Sequence, residues 1–215
     1  MAKDNKENHG RLISLLLVEG ETEVVFYKKI QATFLRSCRS TIYDLKGLLN
    51  VNKKIINRLV GYTENHEDEK VRVYCCLDRE SRYGEVPGLN IGRIKKHIKD
   101  ERIANVLSVD LIRATQQIES WFLYDIENIY GFLKVPNHER NPRAYKPPER
   151  FNYKDLHRLL ERYGKAYSKG KSGENFINHL NIEKIVRECK ELRDGIELIR
   201  AQTNDFMNHI SSDKR

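Results

Sequence analysis

The run Leu15-Leu16-Leu17-Val18 passes straight into Glu19-Gly20-Glu21-Thr22-Glu23, and few arrangements accept that pattern. An unbroken apolar run of this length suits a buried strand, and the acidic residues after it suit the start of a helix. A parallel strand delivers its last residues to the carboxyl edge of its sheet, where sites assemble. Glu19 is therefore expected at a crevice, with Gly20 at a sharp backbone turn. Glu23 falls one helical turn on, within reach of the same point. Two carboxylates converging there repel unless a proton or a cation joins them, which points to a magnesium site.

A second strand signal, Val71-Arg72-Val73-Tyr74-Cys75-Cys76-Leu77, also runs into acids, Asp78-Arg79-Glu80. In extended chain Asp78 and Glu80 point the same way, because side chains alternate with period two. If the two strands are neighbours, Glu19, Asp78 and Glu80 meet at one end of the sheet. Oxygen ligands of this kind suit Mg²⁺ or Mn²⁺ better than zinc. The four cysteines, Cys38, Cys75, Cys76 and Cys189, form no CxxC pair. They read as structural thiols of a reducing cytosol.

The remaining pattern alternates. Strands are expected at Leu12–Val18, Ser40–Leu45, Val71–Leu77 and Ala104–Leu111. Helices are expected from Glu21 to about Leu35, over Leu48–Leu59, over Ile91–Ile98 and from Ile118 to Leu133. Val24, Phe26, Tyr27, Ile30 and Phe34 are the buried candidates of the first helix. This βαβαβαβα order predicts an α/β fold, a four-stranded, mainly parallel sheet covered by helices. Residues 1–133 form the expected catalytic domain. Residues 134–215 form a basic linker and a helical C-terminal extension, with helices over Tyr153–Tyr163 and from Ile182 to about Arg200, the last packing on the sheet or on a partner chain. No apolar run reaches membrane-spanning length, and the polar start, Met1 to Arg11, carries no apolar signal region. A cytoplasmic protein is expected, with self-association left open.

A strand ending in Glu-Gly-x-Thr-Glu, followed by a later strand ending in acid-x-acid, resembles the TOPRIM domain of topoisomerases, primases, small ribonucleases and OLD-family (overcoming lysogenization defect) nucleases. Ile118-Glu119-Ser120-Trp121-Phe122-Leu123-Tyr124-Asp125 is similar to the Glu-x-Trp-x-Leu-x-Asp helix of small stand-alone bacterial TOPRIM proteins. The resemblance covers roughly Leu12 to Leu133, and departs from the pattern at Glu80, where Asp is commoner. It implies a Mg²⁺- or Mn²⁺-dependent nuclease hydrolysing DNA or RNA, the effector of a bacterial anti-phage defence system. Asp78 and Glu80 would hold the metal, Glu19 would hold metal or assist proton transfer, and Glu23 would complete the shell. The chain has no G-x-x-x-x-G-K-[ST] loop, so an ATPase, which OLD-type systems use, would sit on a separate chain. The alternative is a non-catalytic regulatory module that binds nucleic acid or that ATPase. Glu119 and Asp125 could bind a second metal, or Asp125 could pair with an arginine such as Arg113. Trp121 reads as packing.

Charge is unevenly distributed. Lys134–Lys171 holds eleven Lys or Arg against four Asp or Glu, a net +7 in a chain of net +8. Arg143, Lys146, Lys165, Lys169 and Lys171 are the expected phosphate contacts. The interleaved Tyr145, Phe151, Tyr153, Tyr163 and Tyr167 would suit stacking on bases.

Overall fold

The apolar run of the opening strand is long because that strand lies inside a sheet covered on both faces. The computed structural model of the chain describes residues 11–81, 83–167 and 169–212, without the side chains of Lys171, Ser172 and Ile210. The polar start, residues 1–10, lies outside them. Strands β1 (Arg11–Val18), β2 (Ser40–Asp44), β3 (Glu69–Asp78) and β4 (Val106–Ala114) form one sheet in the order β2-β1-β3-β4, with every pairing parallel. Leu15, Leu16, Leu17 and Val18 are all inaccessible to solvent, each burial contributing about 1.5–3 kcal/mol.

Side-chain alternation divides the core in two. Ile13, Leu15, Leu17, Val71, Val73, Cys75, Leu77 and Val109 meet helices α2 (Val51–Asn65) and α3 (Ile91–Asp100). Leu16, Val18, Tyr74, Cys76, Ile112 and Ala114 share one apolar cluster with the other helices. These are α1 (Glu21–Phe34), α4 (Ile118–Phe122), α5 (Ile126–Phe132), α6 (Tyr153–Arg162), α7 (Glu174–His179), α8 (Ile182–Glu188) and α9 (Lys190–Ser212). In α1, Phe26, Tyr27 and Ile30 are buried as expected, while Val24 and Phe34 are half-buried. All four cysteines are free and buried.

Helices expected as continuous are broken, each for a visible reason. The Ile118–Leu133 helix is interrupted by a 3-10 turn at Leu123–Asp125. There the Asp125 carboxylate accepts the Asn181 N–H at 2.7 Å and the Asn128 amide at 2.8 Å, and meets Lys184 at 3.4 Å. The helix from Ile182 breaks at Cys189, whose ψ of 104° is extended. The chain turns there so that both α8 and α9 bury their apolar faces, and α9 continues to Ser212, well beyond Arg200. Strand β4 lies later than expected, and α7 was not anticipated. Lys29 of α1 holds α7 in place, donating to the carbonyls of Ile177 and Leu180 at 2.9 and 3.3 Å. Among the described residues, no helix is long and apolar enough to cross a membrane.

Helix α9 approaches β4 closely. A Cβ on Gly195 would stand 2.7 Å from Cγ2 of Ile112, whereas one on Gly61 of α2 would meet nothing within 4 Å. Helix propensity alone favours alanine over glycine at both positions by about 0.8–1.0 kcal/mol. We expect Gly61→Ala to gain roughly that amount. Gly195→Val should lose about 1–3 kcal/mol through overpacking. Urea unfolding checks both, and equal stability of Gly195→Val and the wild type would refute the close α9–β4 packing.

Candidate metal centre

The register of the two central strands brings the acids together. Val18 pairs with Cys76, so Glu19 leaves β1 beside the last residues of β3. One ligand oxygen from each of Glu19, Asp78 and Glu80 lies within 4.8 Å of the others, a spacing at which a single metal ion can be held. Asp78 is buried, Glu19 half-buried and Glu80 exposed. The Glu19 Oε2 atom is buried and has no hydrogen-bond partner. An ionised oxygen left this way is costly, and a cation would satisfy it.

The chain bends at Gly20 as expected, although the φ of −161° there is extended backbone, open to other residues. The left-handed conformation falls on Glu80, and here an expectation is corrected. Strand β3 ends at Asp78, and Glu80 has a φ of +58°, so it joins Asp78 by a turn rather than by strand alternation. A non-glycine residue there costs on the order of 1–3 kcal/mol. The turn is held by the Glu80 N–H, which donates to the Gln116 carbonyl at 2.8 Å, and by the Gln117 amide, which donates to Glu80 Oε2 at 2.9 Å.

Around these three stand two further carboxylates. Glu23, in the first turn of α1, is 8% exposed, and Glu119, in α4, is fully buried. Burial pushes the Glu23 carboxyl up to about 7, reinforced by Glu119 and Glu19. Burial pushes Asp78 well above the usual carboxylate range, with Glu23, Glu119 and Glu19 adding to it. Glu19 is raised by burial and then by Glu80, and Glu119 is raised by burial against the opposing pull of Lys169. Asp78 Oδ2 also accepts the Ile118 N–H at 3.3 Å, which fixes α4 and hence Glu119 at the site. Asp125 is not part of the cluster, being engaged with Asn181, Asn128 and Lys184, while Arg113 pairs with Glu85. Trp121 is packing, 1% exposed, with its indole N–H donating to Glu191 at 3.2 Å.

Lys169 arrives at the cluster from 150 residues downstream of Glu19. Its Nζ lies 3.6 Å from Glu119 Oε1 and 4.7 Å from the centre of the Tyr153 ring. Burial lowers its proton affinity, but Glu119, Glu23, Asp78 and Glu80 outweigh that and leave it raised. The Tyr167 hydroxyl donates to the same Glu119 oxygen at 3.2 Å. Thr22, inside the opening motif, holds this segment in place, its hydroxyl oxygen accepting the Gly170 N–H at 2.8 Å. Gly170 needs to be glycine, since its φ is +76° and a Cβ there would stand 2.4 Å from Glu21 Oε2.

The rest of the basic stretch is dispersed. Arg143 and Lys146 line a cleft that also holds Lys184, Glu127, Glu149 and Glu188. Lys165 is exposed elsewhere, and the Lys171 side chain lies outside the described residues. Tyr145, Phe151, Tyr153 and Tyr163 are half-buried against the core, and Tyr167 is 4% exposed, so its ring is not offered to bases.

Two outcomes are expected. Without divalent metal, the stability contributed by protonated Glu23 is complete below its ordinary value of 4.5 and is lost as pH rises through about 7. Unfolding free energy should fall across that window, Glu23→Gln should flatten the fall, and Mn²⁺ should restore stability at pH 7. A Glu23→Gln curve parallel to wild type would remove the buried-carboxylate account. Glu80→Asn places a residue tolerant of positive φ at the strained turn. It should stabilise the metal-free protein by about 1 kcal/mol yet weaken Mn²⁺ binding by calorimetry. Unchanged affinity would exclude Glu80 as a ligand.

The family model described as a domain of unknown function (DUF4276) matches residues 18–197. No curated protein and no solved structure matches the chain. The matched region runs from the end of β1 past Lys169 and includes all five carboxylates of the cluster, and the chain belongs to the DUF4276 family.

Proposed function

We propose that the chain is a Mg²⁺- or Mn²⁺-dependent nuclease that hydrolyses phosphodiester bonds of nucleic acid. The observation that carries this reading is the meeting of Glu19, Asp78 and Glu80 within 4.8 Å at the carboxyl ends of two adjacent parallel strands. The uncapped Glu19 oxygen and the hard donor set fit an oxygen-loving cation. Such a cation, when bound, polarises a phosphoryl oxygen and makes a bound water acidic enough to attack at neutral pH.

The chain's own groups then divide the work. Asp78 and Glu80 would hold the ion, and Glu19 would hold it or take the proton of the attacking water. Glu23, poised at about 7, can exchange a proton near neutral pH and complete the shell. Lys169 is a fixed positive charge beside the cluster, suited to the negative charge that builds on the phosphoryl oxygens. The TOPRIM resemblance adds a role in anti-phage defence and control by an ATPase on a separate chain, and the four free, buried cysteines fit cytoplasmic residence.

The test is cleavage of DNA, RNA and transfer RNA panels with Mg²⁺ and Mn²⁺, with and without an ATPase encoded beside the chain. Asp78→Asn and Glu19→Gln should stay folded by circular dichroism and lose cleavage. Lys169→Gln should cut about 10²-fold more slowly while binding Mn²⁺ at least as tightly, because a positive neighbour is gone. A wild type that binds metal but cuts nothing under every condition would leave the binding-module reading. Equal cleavage by Asp78→Asn would exclude this site.

A further inference from the structure

We propose that the cleft between α2 and α3 binds the phosphodiester backbone of a nucleic-acid strand and leads it to the carboxylate cluster. The proposal rests on the nuclease reading for its ligand class, but its location comes from the distribution of charge in space. The cleft encloses about 760 Å³, and Asn52, Lys53, Arg93, Lys96, His97 and Asp100 are among its lining residues. Three permanent cations there face one carboxylate. Among the described residues, no salt bridge engages the side chain of Lys53, Arg93 or Lys96.

The other clefts differ. In the cleft of about 720 Å³ beside α5, Arg143, Lys146 and Lys184 face Glu127, Glu149 and Glu188, so the charges cancel. Lys184 is also committed to Asp125. The +7 of residues 134–171 is therefore a property of the sequence count rather than of one surface. Helix α3, by contrast, stays positive on both flanks. Arg93 and Lys96 face α2, while Lys95, Lys99 and Arg102 line a further cleft of about 500 Å³ against β4 that contains no acid. Arg93 and Lys96 lie three residues apart on α3, about 4.5 Å of rise, with Lys53 on the α2 wall. Cations spread along two walls suit successive phosphates, not a single convergent pocket for one.

Both walls of the cleft are tied to the strand ends that bear the carboxylates. The loop before α2 is anchored by the Gly47 N–H, which donates to the Glu19 carbonyl at 2.7 Å. The loop into α3 starts at Asp78–Glu80. Asn52 clamps the two walls together, its amide donating to the Gly88 carbonyl and its oxygen accepting the Asn90 N–H, each at 2.7 Å. An acidic centre repels a polyanion, so a strand needs cations beside it to approach. The α2–α3 face supplies them.

Fluorescence anisotropy of the full chain, in the Asp78→Asn background and without divalent metal, separates binding from cleavage. The probes are labelled single strands of DNA and RNA of about 20 nucleotides and a labelled mononucleotide. The triple variant Lys53→Gln, Arg93→Gln, Lys96→Gln should bind the strands at least about 30-fold more weakly, and the slope of log affinity against log salt should shrink by about 2. The competing triple Arg143→Gln, Lys146→Gln, Lys165→Gln should lose less than about threefold. The proposal is overturned if the cleft triple binds like its parent, if the competing triple loses as much, if the mononucleotide binds as tightly as a strand, or if the parent binds no strand. Loss of strand binding in the cleft triple, alongside a wild type that cuts nothing with any divalent ion, retains the cleft and removes the nuclease reading. Metal-dependent cutting by wild type with undiminished binding by the cleft triple does the reverse.

Discussion

Burial strips Glu19, Glu23, Asp78 and Glu119 of water while holding them close enough to raise one another's proton affinity. Repulsion among carboxylates at one sheet edge is the condition that the surrounding structure has to meet. Each neighbour offsets part of it. The Ile118 N–H reaches Asp78, the Tyr167 hydroxyl and Lys169 reach Glu119, and Gln117 reaches Glu80. What is left uncompensated is a buried oxygen on Glu19 and another on Glu119. A site that carries unmet negative charge in its resting state is one whose stability depends on a proton or a cation.

The C-terminal helices serve that edge as well as the core. They share one apolar cluster with α1 and the sheet, and the turn at Gly170 packs onto the start of α1 through Thr22. That contact sets the position of Lys169, a positive charge beside the acids. Glu191 of α9 makes a parallel tie, accepting the Thr115 N–H at 3.1 Å and the Trp121 indole N–H at 3.2 Å, and so braces the helix that carries Glu119. Long-range packing therefore fixes the geometry of groups whose sequence neighbours give no hint of it.

The sheet was legible because burial on both faces demands unbroken apolar strands, and β1 and β3 supply them. Glu19 and Asp78 were legible for the same reason, as the first charges after such runs. Glu80 reached the right place by a different route, since period-two alternation does not extend past Asp78 and a left-handed turn does the work. The breaks at Asp125 and Cys189 were not legible, because each depends on partners far along the chain. Lys169 was singled out only as one of five expected phosphate contacts in a stretch of eleven basic residues, not as a partner of the acids. A residue count cannot tell a cation facing Glu119 from one facing solvent.

The same distinction governs the electrostatics of the whole molecule. Segment charge adds residues that are neighbours in sequence, whereas a polyanion meets residues that are neighbours in space. The 134–171 segment is strongly basic by count, yet Lys169 faces Glu119, Arg158 faces Asp155, and Arg143 and Lys146 share their cleft with three glutamates. Helices α2 and α3 cover their face of the sheet alone, so their outward cations have no third helix to supply partners. Among the described residues, α2 and α3 share one apolar cluster with their face of the sheet and the remaining helices share the other. Both α2 and α3 begin at the carboxyl edge, where parallel strands must also deliver Glu19 and Asp78.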